Sequence, residues 1–367
     1  ARIPAVQRGL GLSSGVLGLA LLGASAGALL AILGLPPILN RFGSARVTTW
    51  SSFALCAVLP LPALAPGPLV LTGALVVYGI CAGAMDVAMN TQAVDVERAY
   101  RRPVMVTFHA LFSLGGMIGS AMGGLAAARG IPPLPHLAGI GLALAAVTAL
   151  ATRRLLPDDP QALPAPRVSL AVLRPLLPFG VIAFCILFGE GAMADWAAVY
   201  LTSYTGQGAA AAGYAVFSLT MASGRLAGDW LRGRLGSVNL VRLGATVAAV
   251  GLAGGLAVGG VAATLVGFAC AGAGFATIFP ITLSAAGHRA APASQTGVAT
   301  VAGIGYLALL AGPPVIGMAA QRVTLRAALG LTVLMSLVAA SLAGSVRDAD
   351  AELGGPTPDT PALGHGH

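Results

Sequence analysis

Lysine is absent from this chain: all 20 basic residues among its 367 are arginine, and with 12 acidic residues the charged fraction is 9%. An ordinary soluble domain carries about 25% charged residues. The shortage excludes a soluble globular protein of this size, which would still need a polar surface. Cysteine is scarce as well. Cys56, Cys81, Cys185 and Cys270 each sit inside an apolar run, without the spacing of a disulfide framework or a metal site, and read as small packing residues. No nucleophile–base pair, metal-ligand cluster or phosphate-binding loop is visible, so neither an enzyme nor a metal or other cofactor is expected. The net charge of +8 does not point to nucleic acid, because the arginines cluster in short stretches between apolar runs, the pattern of membrane topology.

What fills the chain is hydrophobic sequence, 57% of all residues. A bilayer core about 30 Å thick takes roughly 20 apolar residues as a helix. On that measure eleven spans are expected, near 13–34, 47–66, 68–95, 104–128, 133–152, 176–203, 209–231, 238–256, 259–286, 296–320 and 324–346. In lipid the backbone must satisfy its own hydrogen bonds, so every span is predicted to be helical.

Taken alternately, the loops place 15 of the 20 arginines on one side, Arg225 at a helix end included; Arg2, Arg8, Arg129, Arg322 and Arg326 fall on the other. The arginine-rich side is expected to be cytoplasmic, with the carboxy terminus there. The stretch 153–175 is the longest connection and is read as a cytoplasmic linker. It divides an amino-terminal bundle, 1–152, from a carboxy-terminal one, 176–346, and residues 347–367 read as a disordered tail ending in two histidines, expected to be solvated rather than metal-binding. The halves echo each other. Asn40-Arg41-Phe42-Gly43-Ser44 follows the first span and Gly233-Arg234-Leu235-Gly236-Ser237 the seventh, and parallel six-span repeats mark transporters. Five spans against six suggests a 6+6 protein whose first helix is absent from this sequence; no cleavable signal peptide is seen.

Between Val47 and Val94, 48 residues hold one formal charge, Asp86. A charge near the bilayer centre costs about 2.5–3.5 kcal/mol on insertion scales and persists where it faces a bundle interior or a wet cavity. Gly79, Gly83, Asp86 and Asn90 share one helical stripe, with Asp86 about 14 Å inside the membrane from the acidic helix end. Glu190 and Asp195 repeat the situation on a later span, with Trp196 beside them. Five residues apart, the two acids point about 140° from each other on a regular helix. His109 lies a turn or two inside the next span after Asp86 and could relay protons. Gly115, Gly119, Gly123 and Gly124 form a small-residue ridge suited to close helix approach, and Gly272, Gly274 and Pro280 mark a kinked or unwound segment.

The loop Pro36-Pro37-Ile38-Leu39-Asn40-Arg41-Phe42-Gly43-Ser44 resembles the signature loop of the major facilitator superfamily, with Arg41 and Gly43 retained. Met85-Asp86-Val87-Ala88-Met89-Asn90-Thr91-Gln92, Phe108-His109-Ala110-Leu111-Phe112-Ser113, Glu190-Gly191-Ala192-Met193-Ala194-Asp195-Trp196 and Gly224-Arg225-Leu226-Ala227-Gly228-Asp229 resemble its MosC/YbjJ-like branch. The resemblance implies an all-α fold of two six-helix pseudo-symmetric bundles around a midplane cavity. It implies a secondary active transporter of a small polar solute, sugar- or inositol-like, working by alternating access and coupled to protons, in the cytoplasmic (inner) membrane as a monomer. Two other readings stay open: a membrane sensor or scaffold of the same fold, and an exporter of drugs or cationic compounds. Asp86, Asn90, Glu190, Asp195, Trp196 and His109 are the candidates for substrate binding or proton coupling. Arg41 braced by Asp95, and Asp229 beside Arg225 or Arg234, are the candidate gate contacts.

Overall fold

The computed structural model describes residues 2–100, 105–157, 170–290 and 294–350. Arg101, Arg102, Asp158, Asp159, Arg167 and the tail beyond Asp350 lie outside them. So do the side chains of Asp95 and His109, although both positions fall on described helices.

In chain order the helices are α1 (Ile3–Gly9), α2 (Ser14–Phe42), α3 (Ser44–Val58), α4 (Leu61–Leu64), α5 (Pro68–Tyr100), α6 (Met105–Ala128) and α7 (Pro133–Ala151), then α8 (Leu170–Leu201), α9 (Gln207–Ala210), α10 (Ala212–Leu226), α11 (Gly228–Leu235), α12 (Ser237–Val258), α13 (Gly260–Phe275), α14 (Ile278–Arg289), α15 (Ser294–Arg322) and α16 (Leu325–Ser341). Among the described residues there is no strand. Among the described residues nine stretches are long and apolar enough to cross a membrane, and α16 is a shorter apolar helix. The remaining expected span, 209–231, is divided among α9, α10 and α11, with breaks at Ala211 and Ala227. Its second half carries Arg225 and Asp229, and Arg232 and Arg234 follow at once, too polar a stretch to continue as one apolar rod.

Two further boundaries move. Helix α8 begins at Leu170, six residues before the position expected from hydropathy. At the other end a 3-10 helix, Ala343–Asp350, follows α16, with Val346 and Ala349 fully buried. Arg232 donates to the Ala349 carbonyl. The first residues assigned to a disordered tail are therefore docked under the carboxy-terminal helices.

Glycine fixes the two echoed turns. Gly43 ends α2 at φ 81°, ψ 160°, and Gly236 ends α11 at φ 73°, ψ 159°. Each donates its N–H four residues back, to Leu39 and to Arg232, at 2.8 Å. A left-handed φ favours glycine, so the sequence echo is an echo of backbone geometry.

Close approach between helices is set by small residues. Gly79 and Gly83 of α5 lie against Ala24 and Ala28 of α2, so tightly that a Cβ on Gly79 would sit 2.0 Å from the Ala24 carbonyl oxygen. The two halves meet along two seams, α2 with α15 and α6 with α10. At the arginine-poor end the seams are tight. Gly18 abuts Pro313 and Gly317, the Ser25 hydroxyl donates to the Leu309 carbonyl at 2.6 Å, and Ser120 donates to the Ala211 carbonyl at 2.7 Å. Gly124 and Ala128 press on the α9–α10 corner at Gly208 and Ala211. The contact ridge on α6 is thus Gly116, Ser120 and Gly124. Gly115 and Gly119 face open space, so the sequence-based ridge is corrected by one position, because the facing helix selects a single i, i+4, i+8 row. Arg8 of α1 also reaches the Gln207 side-chain oxygen across the halves. Toward the arginine-rich end the same helices carry exposed Leu33, Phe108, Leu111, Phe112 and Leu226.

Candidate functional site

Helix α8 positions two acids because it runs through the middle of its bundle: Glu190 lies near its centre and Asp195 nearer the arginine-poor end. Glu190 Oε2 lies 3.6 Å from Arg225 Nη2, and both side chains are mostly enclosed, at 19% and 13% exposure. Arg225 sits in the last turn of α10 and donates through Nη1 to the Ser113 hydroxyl of α6 at 2.7 Å. A carboxylate of one half is thereby linked through a guanidinium to a hydroxyl of the other half. Glu190 Oε1 is buried with no hydrogen-bond partner among the described residues, an open acceptor in the middle of the molecule. An uncompensated buried acceptor costs about 1–3 kcal/mol and more when charged.

From the amino-terminal half, α5 brings Asp86. Asn90, one turn on, donates its amide to the Asp86 carbonyl at 2.8 Å and to Asp86 Oδ1 at 3.1 Å. That grip fixes the carboxylate's rotamer. Three tyrosines join the acids. Tyr306 of α15 lies within Coulombic reach of both Asp86 and Glu190. Tyr214 of α10 lies within Coulombic reach of Glu190, Asp195 and Arg225, and Tyr78 of α5 within reach of Asp195.

Of the residues singled out in sequence, Asp86, Asn90, Glu190 and Asp195 fall in this region, joined by Arg225, which the sequence placed at a gate. Trp196 is fully enclosed in the carboxy-terminal core. Arg41 is exposed and lies over the Phe42 ring, 5.2 Å from its centroid, and Phe42 stands edge-on to Trp50. Arg234 caps the Trp230 ring at 4.3 Å. Asp229 is exposed, and among the described residues no ion pair joins it to Arg225 or Arg234. Arg225 turns inward to Glu190 and Ser113. Sequence reasoning missed Ser113 and the tyrosines. The available signal was scarcity, for the chain has only six tyrosines and three lie within Coulombic reach of the acids.

The broken helix is where glycine placed it. Helix α13 ends at Phe275 and α14 starts at Ile278, leaving Ala276 and Thr277 between. Gly274 packs against Gly244 of α12, and a Cβ there would lie 2.3 Å from its carbonyl oxygen. Among the described residues no group of three or more metal-ligating side chains is present.

The profile of the Major Facilitator Superfamily matches residues 2–306. An MFS-type transporter of Yersinia pestis, itself described as uncharacterized, is 34% identical over 94% of this chain and 90% of its own length. The membrane protein MosC of Rhizobium meliloti is 30% identical over 92% of this chain and 83% of its own. In three dimensions the nucleoside transporter NupG superposes with a TM-score of 0.69 at 14% identity, covering 91% of both chains, which is likeness of fold.

Proposed function

The chain belongs to the Major Facilitator Superfamily and is a secondary transporter, and from that premise we propose that it moves a small polar, hydroxyl-rich solute of sugar- or inositol-like size by proton-coupled alternating access. The observation that carries the reading is the Glu190–Arg225–Ser113 link. A proton on Glu190 removes the charge that holds Arg225, and the guanidinium then loses its reason to bridge the halves. Around it, the phenols of Tyr78, Tyr214 and Tyr306 with the Asp86–Asn90 pair offer donors and acceptors suited to a polyol. Trp196 supports α8 from behind by packing. Residues 1–152 and 176–346 act as the two moving bundles, joined by 153–175. The arginine-rich face is assigned to the cytoplasm, together with the carboxy terminus, in an inner membrane. Tight seams at the arginine-poor end support an inward-facing state, in a chain working as a monomer surrounded by lipid.

The test is transport by the purified protein in proteoliposomes, with a panel of labelled polyols and sugars and an imposed pH gradient. Uptake should follow the gradient, and Glu190→Gln should keep solute counterflow while losing the response to pH. Gradient-driven uptake undiminished in Glu190→Gln would sink the coupling assignment.

A further inference from the structure

On the lipid-facing flank of the amino-terminal half, a cavity of about 280 Å³ opens at the arginine-rich end between α3 and the segment after α7. Arg46, Thr49 and Trp50 form one wall and Thr152, Leu156 and Pro157 the other. Its floor is rigid. Gln92 of α5, buried to 3% exposure, donates to the Ser44 hydroxyl at 2.8 Å and to the Leu156 carbonyl at 3.1 Å, and accepts from the Leu156 N–H at 3.1 Å. Arg46 lines the cavity and is exposed, and Arg153 and Arg154, which follow the lining residue Thr152 in sequence, are exposed too. Just inside the membrane the neighbouring side chains turn apolar and uncovered, with Phe53 on α3 and Val147 and Leu150 on α7 exposed. None of these residues takes part in the link between Glu190 and Ser113.

We propose that this cavity holds the headgroup of an acidic phospholipid. Arginine guanidinia pair with a phosphodiester by charge and paired hydrogen bonds. An indole at a membrane interface supplies an amphipathic ring with an N–H donor. The hydroxyls of Thr49 and Thr152, each already donating to a carbonyl four residues back at 2.8 Å, keep lone pairs free for a glycerol headgroup. Basic pockets between membrane helices bind acidic headgroups on this physical basis. The exposed Phe53, Val147 and Leu150 then run alongside the acyl chains. A zwitterionic lipid carries its own ammonium to the same arginines and is disfavoured.

The experiment uses the full chain, delipidated and returned to nanodiscs of phosphatidylcholine alone or with one fifth phosphatidylglycerol, followed by thermal unfolding. Phosphatidylglycerol should raise Tm by ~3 °C or more. Arg46→Gln with Arg154→Gln should remove most of that shift, and Arg322→Gln at the opposite end should leave it whole. Equal Tm in the two bilayers overturns the proposal, as does a full shift in the paired variant. Inorganic phosphate added to phosphatidylcholine discs separates a soluble anion from a lipid, and a shift as large with phosphate also overturns it. Should the paired variant not fold, the natural chain decides through Trp50. Phosphatidylglycerol brominated on its acyl chains should quench tryptophan emission more than brominated phosphatidylcholine, and Trp50→Phe should abolish the difference. Equal quenching by the two lipids overturns the assignment.

Discussion

The two halves of this protein are built from similar helices and packed very differently. Through the carboxy-terminal half one continuous core runs from Leu176 to Ala349, joined by Leu17 and Leu21 of α2 and centred on α8, where 67% of the apolar stretch is buried. The amino-terminal half has small clusters of three buried residues, such as Leu35 with Val47 and Ala88, and only 6% of the apolar stretch of α7 is buried. Among the described residues no helix plays in the amino-terminal half the part that α8 plays opposite. One half is held by dense side-chain packing. The other is held by close backbone approach at Gly79, Gly83 and Gly27 and by a few polar ties such as Gln92. In lipid this difference matters more than in water, because helix association rests on van der Waals contact and hydrogen bonds and not on hydrophobic burial.

The contrast is broken or sharpened most strongly by truncating side chains on α8 and α7. Phe179→Ala removes a ring that is 1% exposed and should cost about 3–5 kcal/mol, whereas Leu142→Ala, at 75% exposure on α7, should stay within about 0.5 kcal/mol. Thermal unfolding in one detergent measures both, and equal losses would dissolve the distinction. Next comes Gln92→Ala, which removes one hydrogen bond to the Ser44 hydroxyl and two to the Leu156 backbone. A loss of about 2 kcal/mol is expected, with faster hydrogen exchange at the Leu156 amide as the local readout. The two echoed turns form a matched pair: Gly43→Ala and Gly236→Ala each force a Cβ into a left-handed backbone, at about 1–2 kcal/mol. Similar unfolding shifts in the two variants would place equal weight on the turns, and a much smaller shift for Gly43→Ala would show the amino-terminal half already loose there. Last comes Ser113→Ala, which removes one hydrogen bond to Arg225. It should move the balance of open and closed forms by about tenfold or more, since a bond to a charged group contributes about 1.5–3 kcal/mol. Distance measurement between labels on α6 and α10 reads it.

Much of the architecture was legible because lipid leaves the backbone few choices. Every apolar run marked in the sequence is helical, Gly43 and Gly236 announced their turns, and the glycines before Pro280 announced the break at Ala276–Thr277. The acids stood out because a charge in an apolar run is costly. What stayed hidden depends on partners far away in sequence. Arg225 reads locally as a helix-end cation with Asp229 four residues on, yet its counter-charge is 35 residues upstream and its hydroxyl partner 112 residues upstream. The α6 ridge was misplaced by one position because adjacent glycines at 115–116 and 123–124 offer two rows, and only the facing helix chooses between them. Ala349 looked like part of a polar tail, since a single alanine amid Arg and Asp, three residues beyond the last apolar run, carries no periodicity to mark it as buried.

The tight seam at one end of α2 and α15 makes that end a fulcrum. Helix α2 has 29 residues and is therefore about 43 Å long. If the pivot stays near Gly18, a tilt of about 10° would swing the far end roughly 7 Å, while atoms beside the pivot would hardly move. The glycines there permit the low clearance that a short lever arm demands, and Glu190 and Arg225 stand partway along the long arm. A small change in the distance between those two groups would thus be geared up into a gap wide enough for a solute to leave.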